Sequence, residues 1–105
     1  MRSLTVSVYA EMLKLALEAD EQTDGSVPDL VTQALARRPD LDTAGDAASR
    51  LARALAYDVT LVRLCEQLGI DHDMTGPRAG PTARRHVERI LAAKLPELGA
   101  GMRQT

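Results

Sequence analysis

Residues 44–68 read AGDAASRLARALAYDVTLVRLCEQL and are followed by Gly69 and Ile70. Two apolar stripes run through this stretch. Ala47, Leu51, Leu55, Val62 and Cys65 mark one, and Ala54, Tyr57, Leu61, Leu64 and Leu68 mark the other at alternating spacings of three and four. Both have the period of an α-helix, so the segment predicts a helix contacted from more than one side. Thr43 followed by Asp46 reads as the capped start, Gly69 as the left-handed stop and Ile70 as the hydrophobic residue beyond it. A straight helix of this length would span about 37 Å at 1.5 Å per residue, long for a domain of this size. The segment is therefore expected to bend or break near Asp58–Thr60, to project, or to pack on a second copy. The second stripe is the candidate interface, and a homodimer is the partner it suggests.

The rest of the chain fits helices around this one. In the 105 residues there is no Phe or Trp, and Tyr9 and Tyr57 are the only aromatics. A core of Leu, Ala, Val, Ile and Met favours helix-on-helix packing, because strand-forming side chains are scarce. From Tyr9 the residues Tyr9, Met12, Leu13, Ala16 and Leu17 share a helical face, with Leu15 off it and an alternating, strand-like lead-in before it. Asp24-Gly25 marks a turn. Ser26, Pro28 and Asp29 then form a helix start, and Val27, Leu30, Val31, Ala34 and Leu35 form one stripe that ends near Arg37 or Arg38, ahead of Pro39. Residues 71–80, DHDMTGPRAG, read as loop. Pro81 opens a last helix with the stripe Ala83, Val87, Ile90, Leu91 and Leu95, and Pro96 closes it. The expected fold is all-α: a bundle of four helices, five if the long one breaks, forming one domain over residues 1–98 with a frayed tail at 99–105.

Composition limits the function classes. Asp71, His72 and Asp73 are the most ligand-like cluster, but adjacent loop residues rarely all face one ion, and a structural zinc site needs four ligands at defined spacing. No metal or cofactor is expected. Cys65 sits on an apolar stripe, as a buried thiol would, and no phosphate-loop or dinucleotide motif is present. No catalytic group is assigned and the chain is not expected to be an enzyme. A lone cysteine, no 18-residue apolar run and no signal-peptide pattern give the expectation of a cytoplasmic protein without membrane contact.

Charge is distributed unevenly although the net value is only −2. Residues 1–77 hold seven basic and thirteen acidic side chains, whereas residues 78–105 hold six basic and two acidic. Arg78, Arg84, Arg85, His86 and Arg89 gather around the start of the last helix and are the candidate contacts for an anion or nucleic acid. Arg85 and Arg89 stack like charges one turn apart, and positive charge at a helix N-terminus opposes the helix dipole. An acidic neighbour such as Asp71 or Asp73, or a phosphate, is therefore expected to compensate.

The segment VRLCEQLGI (62–70), followed by PTARRHVERILAAKL (81–95), resembles the helix-turn-helix of bacterial regulators, including winged-helix types. Cys65 stands four positions before Gly69, as a small residue does before the turn glycine of that family. The resemblance covers residues 60–95 and implies that Arg84, Arg85, His86 and Arg89 enter a DNA major groove. The stretch from Ile70 to Gly80 is longer than the family's turn of three or four residues, and no β-wing follows Leu95. The leading functional expectation is thus a non-enzymatic helical module that binds a protein partner or itself. A DNA-binding regulator using the last helix is the alternative.

Overall fold

A computed structural model describes residues 8–19, 26–38, 45–76 and 79–96 of the chain. Among these residues there are four helices and no strand: α1 (Val8–Ala19), α2 (Val27–Arg37), α3 (Ala47–Leu68) and α4 (Pro81–Lys94). The regular structure of the described residues is entirely helical, as the composition predicts. Residues 1–7, 97–105 and the Asp24-Gly25 turn lie outside the described set, so the expected lead-in and tail do too.

Each helix end follows from local chemistry. Ser26 caps α2, its hydroxyl accepting the Asp29 N–H at 3.3 Å, with Pro28 in the first turn. At α3 the expected start moves. Asp46, and not Thr43, is the cap: its carboxylate accepts the Ser49 N–H at 2.7 Å, and this bond holds the carboxyl below the usual carboxylate range. An Asp placed immediately before the helix is within reach of the first free N–H groups. At the other end Gly69 adopts φ 69°, Ile70 N–H bonds the Cys65 carbonyl at 2.8 Å, and Gly69 N–H bonds the Glu66 carbonyl at 3.4 Å. These are the two crossed bonds of a Schellman stop. α4 begins at Gly80, whose φ of 121° suits only glycine, with no side-chain cap and with Pro81 at its first position.

α3 runs without a break through Asp58–Thr60. Its 22 residues span about 33 Å, which fits the 43 Å long axis of the molecule. The expected break near Asp58–Thr60 does not occur. α1, α2 and α4 each pack against α3, and they bury Val62 and Cys65 of one stripe and Tyr57, Leu61 and Leu64 of the other, while Ala47 near the helix start stays exposed. The core joins Leu13 of α1, Leu30, Val31 and Ala34 of α2, Tyr57, Leu61, Val62, Leu64 and Cys65 of α3, and Ala83, Val87 and Leu91 of α4. Met74, from the loop after α3, closes the core from that side. Among the described residues, no helix is long and apolar enough to cross a membrane.

Candidate functional site

Two side chains in this interior are polar and fully buried, Asp58 and Thr60. Asp58 lies in the first stripe of α3, in the gap between Leu55 and Val62. Arg84 of α4 meets it with both arms of its guanidinium: Nε donates to Oδ1 at 2.7 Å and Nη2 to Oδ2 at 2.9 Å. The Tyr9 hydroxyl of α1 donates to the same Oδ2 and receives a longer bond from Arg84 Nη2 at 3.4 Å. One carboxylate thus ties three helices together. Burial, then the bond to Asp58, pushes the Tyr9 hydroxyl well above its ordinary range. Burial alone would lower Arg84, but its bonds to Asp58 outweigh this and raise it.

The second tyrosine repeats the pattern. The Tyr57 hydroxyl of α3 donates to Glu88 Oε2 of α4, and Arg38, one residue past α2, donates to the same oxygen through Nε at 3.1 Å. Burial and the Glu88 bond push this phenol well above its ordinary value as well. Two further arginines bond inward. Arg37 Nη1 donates to Thr60 Oγ1 at 2.8 Å and to the Ala56 carbonyl at 3.2 Å. Arg63 Nη2 donates to the Leu17 carbonyl in the last turn of α1 at 3.0 Å. These bonds join helix to helix and leave the buried charges paired, as burial requires.

The site residues anticipated from sequence divide accordingly. Arg84 turns inward and cannot serve an external ligand while it holds Asp58. Arg85, His86 and Arg89 face outward and are exposed. Arg78 lies outside the described residues. In the proposed interface stripe Tyr57, Leu61 and Leu64 are fully buried, and Ala54 and Leu68 half-buried, inside a single chain. Within one chain the other helices thus cover the middle of this stripe and leave Ala54 and Leu68 partly exposed. Sequence reading missed Tyr9, Asp58, Arg38 and Glu88. The available signal was positional: Asp58 interrupts an otherwise apolar stripe, and Arg84 and Glu88 share the helical ridge of Leu91 and Leu95.

The exposed basic residues border a concavity. Asp73 from the loop after α3, with Thr82, Ala83, Arg85, His86 and Arg89 of α4, lines a depression of about 310 Å³. The other candidate groups do not assemble. His72 uses Nδ1 to accept the Met74 N–H at 3.3 Å, a local turn bond, and no group of three metal-ligating side chains converges among the described residues. Burial, and secondarily the charge of Glu66, pushes the Cys65 thiol up to about 11, which keeps it protonated near neutrality. Compared with known protein families, with curated proteins and with solved structures, the chain has no match.

Proposed function

We propose that this chain is a non-enzymatic interaction or regulatory module whose contact surface is the outer face of α4. The observation that carries the reading is the separation of the arginines. Those that face inward are bonded across helices, whereas Arg85 and Arg89 point to solvent beside a concavity, with His86 between them. Asp58, Thr60 and the Tyr57 hydroxyl are each bonded to a side chain of another helix or helix end, which supports a structural role for the buried polar groups. α3 serves as the central scaffold that presents this face. The partner expected is a protein with an acidic surface, since charge complementarity at such a face sets specificity and association rate.

A photo-reactive residue placed at His86 in the full chain tests this in cells. A discrete protein adduct from position 86, absent from the same residue at Thr32 on α2 and weakened by Arg85→Glu, is the expected result. Failure to form any adduct from position 86 above the Thr32 control overturns the reading.

DNA binding is the second reading, favoured by three consecutive basic residues in the first two turns of α4. With Arg84 held inward, Arg85 and Arg89 give two phosphate contacts, and the slope of log affinity against log salt would be only about −2. A duplex titration across salt distinguishes the readings: a slope steeper than about −5 would establish DNA as the partner.

A further inference from the structure

We propose that the depression at the start of α4 is an oxyanion site that holds a phosphomonoester. Arg85 and Arg89 form its cationic wall, and Thr82 supplies a hydroxyl beside them. This rests on the reading that the outer face of α4 is the contact surface, and it names the chemistry recognised there.

Thr82, Arg85, His86 and Arg89 follow the i, i+3, i+4, i+7 spacing of a single helical ridge, and all four line one concavity. Arg37, Arg38, Arg63 and Arg84 are each committed to bonds inside the chain. The side chains of Arg85, His86 and Arg89 make none among the described residues. Two guanidinium groups one turn apart on an exposed face repel each other. Among the described residues Asp73 is the acidic side chain that lines the same depression; it offsets one of the two guanidinium charges and leaves a net positive lining that an external anion can balance.

The donor set of the lining, two guanidinium groups and a hydroxyl, selects the anion. Asp73 stands on the wall contributed by the loop and opposes any negative ligand. A carboxylate offers one charge and two acceptor oxygens. A phosphomonoester brings about −1.5 to −2 charges and three strong acceptor oxygens, enough to engage both guanidinium forks at once. Size adds a second restriction. About 310 Å³ lies at the lower end of small-molecule sites and exceeds what orthophosphate fills, so the group carrying the phosphate also enters. That carrier is either a phosphorylated side chain or a small phosphorylated metabolite.

The test is a ¹H–¹⁵N titration of the full chain at fixed ionic strength. Its probes are inorganic phosphate, glycerol 3-phosphate, a short phosphoserine peptide and the same peptide unphosphorylated. Amide signals of residues 82–89 should move saturably with phosphate and the two esters, more tightly with one ester than with phosphate, and not with the serine peptide. Which ester binds more tightly identifies the carrier. Arg85→Ala with Arg89→Ala should weaken ester binding by at least about tenfold, while Arg50→Ala, which removes an exposed cation on α3, should leave it unchanged. Both α4 side chains are exposed, and an unchanged thermal midpoint shows that the double variant folds. Shifts that grow linearly without saturating, or that fall equally in the Arg50 variant, overturn the proposal. Absence of ester binding with the position-86 adduct retained sinks the oxyanion site alone. Ester binding without any adduct sinks the protein-partner reading and leaves the site standing.

Discussion

At Asp58 the chain has placed a carboxylate where no water reaches, and its free energy depends on its two neighbours. Removing one partner of a buried pair strands the other without compensation. Arg84→Met is therefore expected to destabilise the fold by about 3–5 kcal/mol, whereas Asp58→Leu together with Arg84→Met should recover most of that loss. Urea denaturation of the two single variants and the double variant measures the coupling, and additive losses would show the pair to be incidental. The phenols give a second prediction. Both Tyr9 and Tyr57 have folded values raised above the unfolded value of about 10. Their contribution is complete below that value and is lost as pH rises toward the folded values, because only the unfolded chain releases the protons. For Tyr57 the slope should be about −1.4 kcal/mol per pH unit above pH 10. Denaturant midpoints measured from pH 8 to 12 check this, and Tyr57→Phe should flatten part of the decline.

Among the helices, the glycines at the two ends of the loop between α3 and α4 have different roles. A Cβ added at Gly69 or Gly80 meets no atom within 4 Å, so any cost of Ala is conformational. Gly69 sits in the ordinary left-handed region, and Gly69→Ala should cost about 1 kcal/mol. Gly80, at φ 121° and ψ −156°, occupies a region essentially closed to other residues, and Gly80→Ala should cost more, up to about 3 kcal/mol. Thermal unfolding of the two variants ranks them, and a larger loss at Gly69 would contradict the assignment. Element ends of this kind were legible in the sequence because caps act within four residues. Ser26, Pro28, Gly69 and Pro81 all stand where their local chemistry predicts. The start of α3 was misplaced because Thr43 and Asp46 both carry capping chemistry, and choosing between them needs the backbone geometry that lets Asp46 reach Ser49. The continuity of α3 was likewise hidden. Periodicity shows which residues share a face but not how many neighbours cover it.

For the molecule as a whole, stability rests on a core without Phe or Trp, in which each leucine carries a large share. Leu64 is fully buried, and Leu64→Ala should cost about 2–5 kcal/mol. By the usual scaling this lowers the thermal midpoint by at least about 8 °C in a chain of this size. Calorimetry checks it, and a smaller shift would mean that the site collapses around the missing atoms. The same substitution leaves the outer face of α4 untouched and should not alter its binding. Of that face, the basic cluster was visible in the sequence, but its division was not. Arg84 and Arg85 are neighbours in the chain with opposite destinations, one bonded to Asp58 and the other exposed. Only the pairing of α3 with α4 decides which is which, and that pairing is a long-range contact no local pattern encodes. The bond between positions 58 and 84 also restricts how this sequence can drift. Homologues should carry an acid at the first position with a base at the second, or lose both together, since a lineage passing through either half-state would cross a form barely able to fold.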